Sequence, residues 1–231
     1  MNRASDQPPV WSEKYLQALR SFSVHGFRTV GPEQVPVLAP LASLVRPGRL
    51  EPFSRWHVSR SAPDTALHFY VNDRSMQFAV THPLRWVDRL SSAVAVISPD
   101  LSLFHAHPPC VRRFHTLLNR IAAATWQEAG IKVIPNVRWN DRTDYVFCFD
   151  GLPKHSQVAV SSVTMLRDRI DRRNFIHGFE EMLEQLSPRS VIWHGAIPTG
   201  ISSALLDSVE IIRFDSRIAR VHSRGAFNGG G

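Results

Sequence analysis

Short apolar runs separated by helical patterns fill the chain from about residue 66 onward. Seven runs have the length of strands, and most are apolar without interruption: residues 66–71, 93–97, 131–135, 145–149, 157–161, 190–193 and 209–214. Uninterrupted apolar runs are typical of strands that are covered on both faces. The sequence therefore predicts an α/β fold with a mostly parallel sheet, open or barrel-like, and with helices on its faces.

Apolar residues three and four positions apart predict the helices between these strands. They recur in this way over residues 110–130, where Gly130 supplies the end of the helix, and over residues 174–188. Pro83 in a first turn predicts a shorter helix over residues 81–90. The alternation of strands and helices is the pattern of a parallel sheet with right-handed crossovers.

The first 60 residues show little of this periodicity. One amphipathic helix is predicted over residues 11–22, and the many prolines of residues 30–53 predict an ordered but irregular wrap. We therefore divide the chain into a helix and wrap over residues 1–60, an α/β domain over 61–215, and a basic, glycine-rich flexible tail over 216–231.

Polar residues follow most of the predicted strands. Because the carboxyl ends of parallel strands lie at one edge of a sheet, where ligands bind, these residues are candidates for a site. They are Asn72, Asp73, Ser98, Asp100, Asn136, Trp139, Asp150, Gly151, Ser161, Ser162, His194, Gly195 and Asp215. We expect Asp100 and Asp150 to line one cleft, since both follow predicted strands.

Asp100, Asp150 and His194 are the candidate catalytic residues. The two aspartates could bind Mg²⁺ for phosphodiester chemistry, one could attack a glycosidic carbon, or they could cap a helix and form a turn. His194 is a candidate general acid or base. The candidate substrate-binding residues are Ser98, Asn136, Trp139, Gly151, Ser161, Ser162 and Gly195.

Two of these substrate-binding assignments have structural alternatives. Trp139 could stack on a base or sugar, or pack in the core. Ser161 and Ser162 could bind a phosphate, or merely end a strand. Both alternatives stay open at the level of the sequence.

The charge of the chain suggests a polyanionic partner. The 27 basic and 20 acidic residues give a formal charge of +7, and nearly all of the basic residues are arginines. A GC-rich genome explains this bias, and so does phosphate binding, for which the planar guanidinium is well suited. Arg213, Arg217, Arg220 and Arg224 precede the glycine-rich end and are candidate contacts to a nucleic acid, either DNA or RNA.

Other features narrow the classes of function. No run of eighteen apolar residues and no apolar leader occur, so we expect a cytoplasmic protein. Cys110 and Cys148 give neither a disulfide framework nor a zinc site. His105 and His107 precede two prolines in a loop, which disfavours a metal-binding His-x-His strand. Dinucleotide, P-loop and zincin motifs are absent from the sequence.

A series of short motifs resembles the bacterial and phage family called domain of unknown function 4417. The motifs are SPD at 98–100, VIPNVRW at 133–139, FCFDG at 147–151, VAVSS at 158–162 and IWHG at 192–195. The resemblance implies a phage or mobile-element context. Their order is also similar in arrangement to phage relatives of tRNA-guanine transglycosylases, which are α/β barrels with strand-end aspartates.

Three functions are compatible with these observations. The first is an enzyme that acts on nucleic acid or a nucleotide through strand-end carboxylates, as a nuclease or phosphodiesterase or as a base-exchange glycosyl transferase, with Mg²⁺ as the possible cofactor. The second is a non-catalytic nucleic-acid-binding protein that uses its arginines. The third is a protein-interaction or assembly factor whose proline-rich N-terminal wrap binds a partner.

Overall fold

The core of the molecule is a curved parallel sheet with helices packed against one face. The computed structural model describes residues 23–56, 63–163, 165 and 168–216. The strands are β1 (Thr29–Val30), β2 (Val35–Pro36), β3 (Arg49–Pro52), β4 (Thr65–His68), β5 (Ala95–Ile97), β6 (Val133–Ile134), β7 (Gln157–Ser161), β8 (Ser190–His194) and β9 (Glu210–Phe214). The helices are α1 (Asp73–Thr81), α2 (Val87–Leu90), α3 (Pro109–Glu128), α4 (Arg169–Leu186) and α5 (Ser203–Asp207).

The strands of the main sheet follow one another in sequence order. Strands β3, β4, β5 and β6 form a parallel four-stranded sheet, and β7, β8 and β9 form a parallel three-stranded one. A parallel bridge between Asn136 and Ala159 joins the two, and the Val137 N–H donates to the Ala159 carbonyl at 2.9 Å. Strands β1 and β2 form a separate antiparallel pair.

Alternate strand residues fall into two apolar clusters, one on each face of the sheet. The outer cluster joins strand residues to helix residues such as Met76, Leu118 and Phe179. The inner cluster contains the strand residues Leu50, Ala66, Ala95, Ile97, Ile134, Ala159 and Ile192, with no helical residue among its members. Its alanines leave room for strands on opposite sides of a curve to approach each other.

Two contacts show how far the sheet curls. The rings of His68, at the end of β4, and His194, at the end of β8, lie 4.8 Å apart although three strands separate them in the sheet. At the other end, Arg46 pairs with Glu210, the first residue of β9, at 2.8 Å. No ladder joins β3 to β9 within the described ranges, so the sheet is barrel-like and open.

The two long helices confirm the predictions from spacing. Pro109 is the first residue of α3, where a missing N–H costs nothing, and Gly130 follows its end with a φ of 83°. The side chain of Asp168 accepts the Ile170 N–H at 2.6 Å and so caps α4. None of the helices in the described part of the chain is long and apolar enough to cross a membrane.

Three expectations about the elements need correction. Residues 145–149 form turns rather than a strand. The stretch 30–53, expected to be irregular, contributes β3 to the sheet. The helix expected over 81–90 is a 3₁₀ turn at Pro83–Trp86 followed by α2. The helix predicted over 11–22 lies outside the described residues, as does the tail beyond residue 216.

Candidate functional site

Polar side chains from five neighbouring strands meet at the carboxyl edge of the sheet, in what we call the strand-end cluster. They are linked by hydrogen bonds and ring contacts, and the edge where they meet is the one at which parallel α/β sheets bind ligands. The cluster consists of His68, Tyr70, Ser98, Asp100, Asn136, Arg138, Ser161 and His194.

Two of the sequence motifs bind each other at the centre of this cluster. The Ser98 N–H donates to the Ile134 carbonyl at 2.9 Å, and the Ser98 hydroxyl oxygen accepts the Asn136 N–H at 2.8 Å. The Asn136 side-chain amide then donates to a carboxyl oxygen of Asp100 at 2.7 Å. SPD and VIPN are therefore one structural unit, in which Ser98 and Asn136 fix the carboxyl group of Asp100.

The Asp100 carboxyl is held in a largely dry environment. Its side chain is 11% exposed and lies 3.5 Å from a terminal nitrogen of Arg138, whose side chain is 15% exposed. Burial raises the pKa of Asp100, while Arg138 and the bond from Asn136 act in the opposite direction. A carboxyl with a raised pKa accepts a proton more readily near neutral pH than an ordinary aspartate does.

Tyr70 connects the two halves of the cluster. Its hydroxyl donates to the side-chain oxygen of Asn136 at 2.9 Å, and its ring stacks on His194 at 4.9 Å with an angle of 7° between the planes. Burial, and then the charge of Asp100, raise the pKa of Tyr70 well above its ordinary value. Tyr70 therefore stays protonated and serves as a hydrogen-bond donor.

Ser161 and His194 form the other side of the cluster. The Ser161 hydroxyl oxygen lies 3.0 Å from Nδ1 of His194, and the tautomer of the imidazole decides which of the two donates. The His194 ring also contacts the rings of Tyr70 and His68. These contacts fix the imidazole at the carboxyl end of β8, which is where the sequence predicts it.

A second buried carboxyl adjoins the cluster. Asp73, the first residue of α1, accepts the backbone N–H of Ser102 at 3.2 and 3.3 Å and its hydroxyl at 3.0 Å. Burial raises the pKa of Asp73 to about 6, and the charge of Asp100 raises it as well. Asp73 thus fixes the loop that follows SPD and interacts electrostatically with Asp100.

His68, Tyr70 and Arg138 belong to the cluster but are absent from the sequence-based candidates. A signal for them exists in the two-residue period of a strand. His68 and Tyr70 lie two and four residues beyond the inward-facing Ala66, and Arg138 lies four beyond the inward-facing Ile134. The side chains of residues at such steps point to the same face.

Asp150, the second candidate catalytic aspartate, has different neighbours. It lies within the turns over 145–151, its carbonyl accepts from Arg120 at 3.0 Å, and its carboxyl lies near Gly31 in the β1–β2 connection. Burial and then Glu33 raise its pKa. Among the described residues no direct hydrogen bond or ion pair joins Asp150 to the strand-end cluster, and it does not follow a strand.

The predicted Mg²⁺ site requires Asp100 and Asp150 to lie close together. Within the described ranges no group of three or more His, Cys, Asp or Glu side chains is arranged to hold a metal ion. Asp100 interacts with Asn136 and Arg138, whereas Asp150 lies beside Gly31. A requirement for Mg²⁺ is therefore a question for activity assays with and without the ion.

The remaining predicted contacts have evident packing roles. Trp139 is buried and its indole N–H donates to the Asn174 carbonyl at 3.2 Å. The Ser162 hydroxyl donates to the Ala196 carbonyl at 2.6 Å. Gly195 and Gly151 have φ values of 107° and 73°, and a Cβ on Gly151 would lie 2.2 Å from the Pro36 carbonyl oxygen. The geometry thus favours core packing for Trp139.

Arg213, His105 and His107 contact residues outside the strand-end cluster. Arg213 donates to the Gly195 carbonyl at 3.2 Å and pairs with Asp215 at 2.7 Å. His105 lies 3.7 Å from a carboxyl oxygen of Asp141, whereas the ring of His107 packs edge-on against Phe104 and His115. Arg217, Arg220 and Arg224 lie outside the described residues.

A protein family and two phage proteins are similar in sequence to this chain. The sequence profile of the family described as "Domain of unknown function (DUF4417)" matches residues 27–215. The Gene 1 protein of Mycobacterium phage L5 is 33% identical over 132 residues, which are 57% of this chain and 58% of that protein. The Gene 1 protein of Mycobacterium phage D29 is 31% identical over 132 residues, 57% of this chain and 49% of that protein. The match spans about half the length of these relatives. No solved structure shows a significant match.

Proposed function

The chain belongs to the family described as "Domain of unknown function (DUF4417)", and we propose that its strand-end cluster is a catalytic site that acts on a nucleic acid or a nucleotide. The observation that carries this proposal is the buried Asp100 carboxyl at the carboxyl edge of the sheet. Asn136 and Arg138 orient this carboxyl, and the side chain is 11% exposed. Burial raises its pKa. Such a group is suited to proton transfer or to nucleophilic attack.

Asp100 is the reacting carboxylate in this proposal, and two reactions fit it. As a general base it takes a proton from water, which then attacks a phosphodiester or glycosidic bond. As a nucleophile it attacks the sugar carbon of a nucleoside, the bond from that carbon to the base breaks, and water or an incoming base then displaces Asp100 from the same carbon. In both cases His194 donates a proton to the leaving oxygen or nitrogen, and Tyr70 and Ser161 hold its ring in place.

The formal charge of +7 supports a polyanionic substrate. A net positive field raises the local concentration of nucleic acids and nucleotides around the protein. The similarity to two phage proteins supports the same substrate class through the biological setting alone.

The test compares Asp100→Asn with Asp88→Asn, which removes an exposed carboxylate on α2. The full chain is incubated with labelled single- and double-stranded DNA, RNA and free nucleotides, with and without Mg²⁺. We expect Asp100→Asn to lower the rate about 100-fold or more and Asp88→Asn to leave it unchanged. Cleaved strands indicate hydrolysis of the backbone, whereas released bases indicate glycosidic chemistry.

Thermal unfolding of Asp100→Asn separates catalysis from structure. Because burial raises the pKa of Asp100, the site disfavours the charged form, and a neutral amide of the same shape should keep the melting temperature within a few degrees. A large fall in melting temperature, or unchanged turnover, would show that Asp100 only fixes its loop.

A non-catalytic nucleic-acid-binding protein is the second candidate. The arginine-rich segment that starts at Arg213 favours it. This candidate is supported if the chain binds nucleic acid tightly, shows no turnover with any substrate above, and binds equally well as Asp100→Asn.

A further inference from the structure

The guanidinium of Arg138 has more hydrogen-bond donors than its described neighbours use. Its contact with Asp100 is 3.5 Å long, whereas close arginine–carboxylate pairs have distances of about 2.7–2.9 Å. Its Nε is buried and has no hydrogen-bond partner among the described residues. A guanidinium carries five N–H donors in a fixed plane, and most of those of Arg138 have no partner among the described residues.

Arg138 and Ser161 also line one small pocket beside the cluster. Its other lining residues are Val137, Trp139, Met165 and Phe175. Trp139 and Phe175 belong to the core, and they give the pocket an apolar wall. The polar residues among those that line it are Arg138 and Ser161.

The hydroxyl of Ser161 is a second donor group near Arg138, and His194 controls it. Nδ1 of His194 lies 3.0 Å from the Ser161 oxygen. When Nδ1 carries the proton, it donates to that oxygen, and the hydroxyl hydrogen of Ser161 is then free to turn toward an anion. The imidazole therefore decides whether Arg138 alone, or Arg138 together with Ser161, can donate to an anion.

We infer that Arg138 and Ser161 form an anion subsite that binds a phosphate group of the substrate. A planar guanidinium beside a hydroxyl matches the oxygens of a phosphate. The inference rests on the proposed function for its substrate class, since it places the phosphate of a nucleotide or of a nucleic-acid backbone next to Asp100. A carboxyl of raised pKa next to the subsite would then face the bond to be broken.

Binding of small phosphates tests this subsite without any turnover. The probes are inorganic phosphate, nucleoside 5′-monophosphates and the corresponding nucleosides, titrated calorimetrically into the full chain. We expect the phosphates to bind the wild-type chain, and Arg138→Gln to weaken them about tenfold to a hundredfold because charge-assisted bonds are lost. Arg138→Lys, which keeps the charge but loses the fork, should bind with intermediate affinity.

Arg49→Gln is the matched control. It removes the same charge from an exposed position at the opposite end of the sheet, at the start of β3. Equal weakening by Arg49→Gln and Arg138→Gln would mean that only net charge matters and would overturn the subsite. Failure of inorganic phosphate and monophosphates to bind the wild-type chain would overturn it too. If Arg138→Gln does not fold, Arg138→Lys and Ser161→Ala decide the question.

Two further comparisons identify the source of the phosphate and distinguish failure of the subsite from failure of the proposed function. An oligonucleotide without terminal phosphates presents only phosphodiesters, so tighter binding than that of a monophosphate identifies the nucleic-acid backbone as the source of the phosphate. If Asp100→Asn retains full turnover while Arg138→Gln loses phosphate binding, the proposed function fails and the subsite stands. The reverse result leaves the catalytic role of Asp100 intact and removes the subsite.

Discussion

Asp73 is a carboxyl whose protonation is coupled to the stability of the fold. Its pKa is raised from 3.8 to about 6, mainly by burial. Between these two pH values the folded protein holds a proton that the unfolded chain has already lost. The free energy of unfolding therefore falls as the pH rises from about 3.8 to 6, by about 3 kcal/mol at most, and stays at the lower level above this window.

Asp73→Asn should remove this dependence. The amide oxygen can still accept the Ser102 N–H, and the side chain no longer titrates. We expect the stability of the variant relative to the wild type to increase by up to about 3 kcal/mol between pH 4 and pH 7, measured by urea unfolding at several pH values. Parallel curves for the two proteins would contradict the assignment.

The comparison with the variant is needed because His115 has the opposite effect on the pH dependence of stability. Burial lowers the pKa of His115 to about 4, and its Nδ1 lies 2.7 Å from the Ser102 carbonyl oxygen. The folded protein keeps this imidazole neutral, so its contribution to stability grows as the pH rises from about 4 to 6.5. The two effects partly cancel in the wild type, whereas the difference between the two proteins isolates Asp73.

At the scale of elements, Gly178 allows helix α4 to pack closely against the indole of Trp139. A Cβ on Gly178 would lie 2.0 Å from Nε1 of Trp139 and 2.3 and 2.4 Å from two further indole atoms. The indole cannot move away easily, because its N–H is bonded to the Asn174 carbonyl of the same helix. Gly178 therefore sets the distance between α4 and the segment that carries Arg138.

Gly178→Ala should destabilise the protein although alanine favours helices by about 1 kcal/mol over glycine. Overpacking of this kind costs about 1–3 kcal/mol, and chemical denaturation measures the difference. In a Trp139→Phe background, where the ring is smaller, the same change should cost clearly less. Equal costs in the two backgrounds would show that the contact is not the cause.

The strands that the sequence predicts best are those covered on both faces. Runs such as 157–161 and 190–193 have three consecutive apolar residues each, and they form β7 and β8. Residues 145–149 have the same pattern but form turns, because Asp144 accepts the Asn140 N–H at 2.8 Å and starts a compact turn there. An apolar run alone does not separate these cases. Strand β3 is not predicted because Pro47 precedes it, Pro52 is its last residue, and its other residues mix charged and apolar side chains.

The sequence predicted the edge of the sheet that carries the candidate site and most of its polar groups. Ser98, Asp100, Asn136, Ser161 and His194 all follow or end strands and all belong to the cluster. The stacking of Tyr70 on His194 could not be predicted, because it depends on how far the sheet curls. The expectation for Asp150 depended on a strand that does not form.

At the scale of the whole molecule, charge gives a prediction about the C-terminal segment. Arg213, Arg217, Arg220 and Arg224 make four phosphate contacts if this segment binds nucleic acid. Each contact releases about 0.7 to 0.9 counterions, so the logarithm of the affinity should fall with the logarithm of the salt concentration with a slope of about −3. Changing all four arginines to glutamine should flatten this slope and weaken binding to every sequence alike.

The matched control changes the same four arginines to lysine. Lysine keeps the charges, so the slope should stay near the wild-type value if phosphate contact is the reason for the arginines. Arg213 already bonds to Gly195 and Asp215, so its change should matter least. If the glutamine variant binds as well as the wild type at low salt, genome composition explains the arginines.

The two-residue period of the strands constrains how proteins of this architecture can vary in length. His68, Tyr70, Asn136 and His194 point inward only because each lies an even number of residues from an inward-facing position. One residue gained or lost within such a strand would turn its site residue toward the helices, as a register slip does. Insertions beyond these residues, in the connections that lead to the next strand, leave this orientation unchanged. Evolution can therefore lengthen the loops of such a protein freely, whereas its strands can change only in pairs of residues without losing the site.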